Sequence, residues 1–223
     1  MLLQYEDSIK YILVCGLILQ SYNIMRLTQA RKDQYRKLAK QKGYRSRAAF
    51  KLLQLNKSYN IIKKSDRVVE FGCAPGGWIQ VVSQLVGQSG FVLGLDLKDI
   101  RPLPGTKFIK GSIEEPQLPQ ILLQTIGPGD KFDVVLSDMS PNVSGIWEID
   151  HERQISLTKH ALHASIKILE RGGNAVYKIF QGASTQSFVD ELAEHFTLVK
   201  LSKPPASRQE SSELYVICLG FKE

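Results

Sequence analysis

The sequence predicts an α/β protein: one seven-stranded, mostly parallel sheet with an antiparallel strand, flanked by helices. Three observations carry this. Short apolar runs alternate with helical patterns along most of the chain, as right-handed βαβ units require. The first apolar run, Val68–Phe71, ends directly in a glycine-rich turn containing Gly72, Pro75, Gly76 and Gly77, and a helical pattern follows. The last two apolar runs are joined by a Pro-, Ser- and Arg-rich loop with no helix between them, so the final strand is free to run antiparallel to the rest.

In chain order, a basic helix is expected over about 29–42, stopped by Gly43. A second helix over about 46–55 shows Ala49, Phe50, Leu52 and Leu53 on one apolar face. Strands are expected at 67–71, 91–95, 106–109, 133–138, 174–180, 197–201 and 213–220, with helices at 77–86, 116–126, 151–170 and 185–195. The chain has 223 residues, 43% hydrophobic and 23% charged, which suits one domain with a full core. The division expected is an N-terminal extension over 1–24 and a single domain over 25–223. Residues 11–19 are apolar but shorter than the roughly 20 residues that span a bilayer. They follow Glu6-Asp7 rather than a basic leader, so neither a membrane anchor nor a signal peptide is expected.

Charge points to a polyanion. Lys+Arg 29 against Asp+Glu 22 gives a formal +7. The excess is concentrated between Arg26 and Lys51, where Asp33 is the one acid and Tyr35, Tyr44 and Phe50 are interleaved. Such a segment suits phosphate tracking, and a solvated helix face is the plainer alternative. Three scattered cysteines suit a reducing, cytoplasmic setting and form neither a disulfide framework nor a zinc site. His160 and His163 lie three apart without a third ligand nearby, so no metal is expected.

The glycine turn narrows the cofactor. Its spacing does not match G-x-G-x-x-G, and there is no G-x-x-x-x-G-K-[ST] loop, so a pyrophosphate or nucleoside triphosphate is disfavoured. This weighs against a nicotinamide-dependent oxidoreductase and favours an adenosyl cofactor without phosphates, S-adenosylmethionine. Gly72, Gly76 and Trp78 are expected to shape its pocket. Asp96 closes the second strand, where a carboxylate can accept from ribose hydroxyls.

Four charged residues converge on the same rim. Asp138 ends an apolar strand beside the turn. Lys178 interrupts a strand that otherwise reads as buried. A lysine in that position is costly unless paired, and burial favours the neutral amine that a general base requires. Glu213 opens the last strand, which, if antiparallel, begins where the parallel strands end. Lys51 is carried over them by the preceding helix.

These residues also bring a family into view. From about Arg31 to Phe221 the chain resembles the FtsJ/RrmJ-like RNA ribose 2′-O-methyltransferases. The matching segments are YRSRAAFKL at 44–52, EFGCAPGGW at 70–78, SDMSPNVSG at 137–145, KIFQG at 178–182, and Lys203-Pro204 with Ser207-Arg208 and SSELY at 211–215. The resemblance implies a Rossmann-like S-adenosylmethionine-dependent fold and a catalytic tetrad on Lys51, Asp138, Lys178 and Glu213, with Asp138 also near the cofactor. It implies a monomeric enzyme acting on RNA, with a uridine of large-subunit ribosomal RNA as the foremost target. The tRNA anticodon loop and a non-catalytic RNA-binding protein on the same fold remain alternatives. Two positions depart from the family. Ser112 stands where Asp is usual, so the adenine contact passes to Ser112, a backbone amide or Glu114. Glu70 stands where Asp is commoner.

Overall fold

The computed structural model describes residues 34–208 and 210–222. The 1–24 extension and the first part of the basic segment lie outside the described residues. Helical residues 34–41 lead through a turn at Gly43 to helix α1 (Ala49–Tyr59). The remaining elements are β1 (Arg67–Phe71), α2 (Gly77–Val86), β2 (Phe91–Asp96), β3 (Lys107–Lys110), α3 (Leu118–Ile126), β4 (Phe132–Ser137), α4 (Trp147–Ile168), β5 (Leu169–Phe180), α5 (Thr185–His195), β6 (Phe196–Ser202) and β7 (Glu213–Phe221).

Seven strands form one sheet in the order β3-β2-β1-β4-β5-β7-β6. β1 to β5 pair in parallel, and β7 is antiparallel to both β5 and β6, as the helix-free connection predicts. Each face buries its own apolar layer. Leu52 and Leu55 of α1 and Trp78, Ile79 and Val82 of α2 cover one face. Leu122 of α3, Ile155 and Leu162 of α4, and Phe188 and Leu192 of α5 cover the other. Strands buried on both sides explain why β1 and β4 are near-continuous hydrophobic runs rather than alternating ones.

Three boundaries differ by four residues or more from those read in the sequence. α1 continues to Tyr59, where Asn60 turns left-handed (φ 50°) and the Asn56 side chain accepts from Ile62 N–H at 2.8 Å. α4 begins at Trp147 rather than 151, because the Asp150 carboxylate folds back onto the backbone of Ser144 and Gly145. β5 begins at Leu169, which pairs with Phe132 ahead of a register shift, so the Glu-Arg-Gly-Gly stretch is an irregular part of the strand.

The strand order reverses between β1 and β4, which opens the crevice where such sheets bind ligands. Gly72 N–H donates to Leu95 O at 2.8 Å, and Asp138 N–H donates to Phe71 O at 3.1 Å, so the chain ends after β1 and β4 stay side by side past the ladder. Gly72 has φ +75°, and a Cβ there would come within 2.8 Å of Met139 Cα. Only glycine meets both constraints, the backbone conformation and the close approach.

Candidate active site

At the carboxyl edge of the sheet, the four predicted residues meet. β5 and β7 set the register: Phe180 lies opposite Glu213, and Lys178 opposite Tyr215. Lys178 Nζ donates to the Asp138 backbone carbonyl at 2.5 Å and lies 3.1 Å from its carboxylate. Lys51, reaching over from α1, donates to Glu213 Oε1 at 2.5 Å. Both pairs are largely withdrawn from water, with side-chain exposures of 9% and 15% for Lys51 and Glu213, and 7% and 18% for Lys178 and Asp138.

Tyr215 joins the two pairs. Its hydroxyl donates to Asp138 Oδ1 at 2.9 Å and accepts from Lys51 at 3.3 Å. The ring is fully buried and packs on Trp78 at 5.6 Å between centroids. Burial raises the phenol well above its ordinary pKa, and the charges of Asp138 and Glu213 push the same way, so the hydroxyl keeps its proton. Burial alone would raise the Glu213 carboxyl, but attraction to Lys51 and its hydrogen bond prevail, with help from Lys178, and hold it below the usual glutamate range. The sequence reading missed Tyr215, although it stands two residues past Glu213 and therefore on the same side of the strand.

Behind the rim, Gln154 and Thr158 of α4 fix the backbone that carries Lys178. Gln154 Nε2 donates to Lys178 O at 2.8 Å and to Met139 O at 3.3 Å, while Thr158 Oγ1 donates to Lys178 O at 3.2 Å. His151 clamps the next stretch. Its Nε2 accepts from Ser184 N–H at 3.0 Å, which leaves Nδ1 to donate to Phe180 O at 2.9 Å. Nothing in a single sequence marks these buried polar residues of a helix as partners of β5.

Beside the tetrad lies a cleft of about 590 Å³ whose walls include Gly72, Asp96, Ser112, Glu114 and Asp138. Asp96 is anchored by two backbone donors, Ala74 N–H at 2.8 Å and Lys98 N–H at 2.9 Å, and its carboxylate faces the cleft. Ser112 N–H donates to Glu115 Oε1 at 3.0 Å and its hydroxyl accepts from Glu114 N–H at 3.2 Å, so the Ser112 hydroxyl proton and the Glu114 carboxylate are what this corner offers a ligand. Under the floor, Glu70 is fully enclosed with one oxygen unpartnered. Burial raises its carboxyl strongly, and the nearby charges of Asp138 and Asp96 add to the shift.

Two of the expected cofactor residues stand outside the set that lines this cleft. The Trp78 indole is buried, and its N–H donates to Ala48 O at 2.8 Å, so a ligand can meet only its backbone N–H in the first turn of α2. Gly76 does not line the cleft. At φ +98° it makes room for the Arg45 guanidinium, which a Cβ would meet at 2.5 Å. Arg45 in turn donates to Arg101 O at 2.7 Å and Pro102 O at 3.0 Å, which fixes its guanidinium beside the basic cleft it helps to line. Lys203 donates to Ser211 O at 2.6 Å. The cationic surface is a second cleft lined by Arg36, Lys37, Lys40, Arg45, Arg47 and Arg208. Burial lowers the Arg47 pKa, as does the neighbouring Arg208 charge, while Glu213 opposes. Among the described residues no cluster of three or more His, Cys, Asp or Glu side chains could hold a metal, and no helix is long and apolar enough to cross a membrane.

A doubly covered α/β sheet, a cleft at its strand-order reversal and a paired lysine–acid rim place the chain in the Rossmann-like class of ligand-binding folds. Residues 44–221 match the model of the FtsJ-like methyltransferases, and the chain belongs to that family. It is similar to the ribosomal RNA large subunit methyltransferase E of Nitrosopumilus maritimus, with 45% identity over 88% of this chain and 99% of the relative. The protein of the same description from Methanococcus vannielii is 48% identical over 86% of this chain and 74% of the relative. Among solved structures, a chain described as a ribosomal RNA methyltransferase from Plasmodium falciparum superposes with TM-score 0.69 at 30% identity, covering 80% of this chain and 98% of that one.

Proposed function

We propose that the protein transfers the methyl group of S-adenosylmethionine to a ribose 2′-hydroxyl of RNA, and that its target is a uridine of large-subunit ribosomal RNA. The observation that carries this is the linked rim: two lysine–acid pairs joined through Tyr215, with Asp138 common to the rim and the cofactor cleft. The names of the relatives support the choice of RNA.

The cleft suits the cofactor. Asp96 can accept from ribose hydroxyls, Leu95 and Ile113 line a wall for the adenine, and Gly72 lines the cleft where the chain passes close to Met139. Bound there, the cofactor supplies an electrophilic methyl group on sulfonium sulfur. A 2′-hydroxyl is a weak nucleophile at neutral pH, so the protein must position it and take its proton. Asp138 orients the hydroxyl, and Lys178 is the base that takes its proton. Lys51 and Glu213 hold Tyr215, which fixes the Asp138 carboxylate. Arg47 and Arg208, with the basic helical residues before α1, hold backbone phosphates, which sets affinity and register without reading bases. Residues 25–223 act as one cytoplasmic, monomeric domain.

Tritiated methyl transfer to total RNA, followed by nucleotide mapping, tests this. The expected label is a 2′-O-methyl on a large-subunit rRNA uridine. Label confined to tRNA would move the substrate. Cofactor binding without any transfer would leave only a non-catalytic RNA-binding role.

A further inference from the structure

Seven large apolar side chains stand exposed among the described residues, and four of them fall between β4 and the first turn of α4: Val143 (67%), Ile146 (55%), Trp147 (42%) and Ile149 (41%). Scattered exposed apolar residues need no explanation, but a contiguous group marks a contact surface. The segment is also held firmly. The Asp150 carboxylate accepts from Ser144 N–H at 2.6 Å, from Ser144 Oγ at 2.8 Å and from Gly145 N–H at 3.0 Å, and Ser144 Oγ accepts from Ile146 N–H at 3.2 Å. The chain fixes these side chains outward.

Trp147 is the one aromatic in the group, and it is tied to the rim. Its ring lies 6.0 Å from Phe180 and stacks on His151 at 6.3 Å. Phe180 follows Lys178 by two residues, which puts both on one side of β5, and it pairs with Glu213. A short aromatic column therefore leads from the tetrad to the open part of the Trp147 indole.

We propose that Trp147 is a stacking platform for an unpaired base of the RNA substrate, at or next to the methylated nucleotide. This rests on the RNA ribose methyltransferase reading above. A ribose placed at Asp138 carries its base on the adjoining carbon, and a single strand brings the neighbouring base only a few ångströms further, so bases must lie over this rim. Single-stranded RNA is commonly held by stacking splayed bases on aromatic rings. Cations lie along the approach to the rim: Arg47 and Arg208 line the basic cleft near Glu213, and Arg153 of α4 lines the cofactor cleft.

The chain has two tryptophans, and Trp78 is buried, so RNA-dependent changes in emission report on Trp147. A short oligouridylate is expected to quench emission of the full chain but not of Trp147→Phe. Trp147→Ala is expected to bind the oligonucleotide about ten-fold or more weakly and to raise KM for rRNA, with cofactor binding unchanged. Trp147→Phe should recover most of that loss, which a merely structural defect would not allow. Unchanged emission together with unchanged KM overturns the proposal. So does an emission change that requires ribosomal proteins and is absent with RNA alone. If the wild-type chain methylates no RNA, the functional reading fails, and quenching by oligouridylate then still upholds the platform.

Discussion

The two edges of the sheet each carry a cluster of opposite charges, and the clusters are built in opposite ways. At the amino edge, Arg67 at the start of β1 grips Asp133 with a fork: Nε to Oδ2 at 2.9 Å and Nη2 to Oδ1 at 3.0 Å. Asp130 lies 3.0 Å away on the same guanidinium, and these side chains remain partly in water, at 28%, 31% and 53% exposure. At the carboxyl edge the cations are lysines, enclosed, and linked through a tyrosine hydroxyl. A planar, permanently charged guanidinium suits a fixed clamp, whereas an amine that can lose its proton suits chemistry. What differs is whether the charge at the end can change.

The largest expected effect breaks the carboxyl edge. Lys178→Ala should lower methyl transfer by about 10² to 10⁴-fold, the range for removing a positioned acid–base group, while cofactor binding stays near wild type. Single-turnover transfer alongside cofactor titration measures both. Full transfer by this variant would end the assignment of Lys178 as base. Legibility also differs between the edges. Lys178 was visible in the sequence because a lysine inside Ala-Val-Tyr-x-Ile-Phe contradicts its surroundings. Glu213 followed from the helix-free connection before β7, and Asp138 from its place after an apolar strand. The Arg67–Asp133 clamp was not visible, since charges at exposed strand ends match any solvated surface and the partners lie 66 residues apart. The second role of Arg45 was hidden for a related reason: a basic run shows where cations are, not that one of them also ties down two of the protein's own carbonyls.

Tyr215→Phe sharpens the comparison by cutting the link and keeping the ring. Asp138 would lose one donor and Lys51 one acceptor, while both ion pairs and the Trp78 contact persist. Transfer should fall about ten-fold, roughly the worth of one hydrogen bond that aligns a reacting group. A fall equal to that of Lys178→Ala, with the thermal midpoint unchanged, would make the hydroxyl a full member of the reacting set.

Glu70 supplies a third arrangement on β1, an acid without a cation. Its folded-state pKa is raised, first by burial and then by the Asp138 and Asp96 charges. Between the ordinary glutamate value of about 4.3 and that raised value, the folded state binds more protons than the unfolded one. Stability therefore declines as pH rises through this window. Glu70→Gln, which keeps the shape and an acceptor, should flatten the decline and gain stability at alkaline relative to acid pH. Urea denaturation at pH 5 and pH 8 measures it, and parallel curves for both proteins would show that Glu70 does not carry the proton.

The smallest effect belongs to the amino edge. Arg67→Ala removes a fork whose partners are partly solvated, so the loss should be about 1 kcal/mol, near the upper end for exposed pairs. Methyl transfer should not change, because nothing in the fork touches the rim. The signature lies in pH. Burial alone would raise the Asp133 carboxyl, but its hydrogen bonds from Arg67 prevail and hold it below the usual aspartate range. The clamp's contribution is thus complete above the ordinary aspartate value of about 3.9 and fades as pH falls through the lower folded value. In Arg67→Ala, stability should match the wild type in strong acid, fall behind it as pH rises toward about 4, and stay behind by a constant amount above that. A difference independent of pH would mean that Arg67 contributes packing by its stem rather than charge.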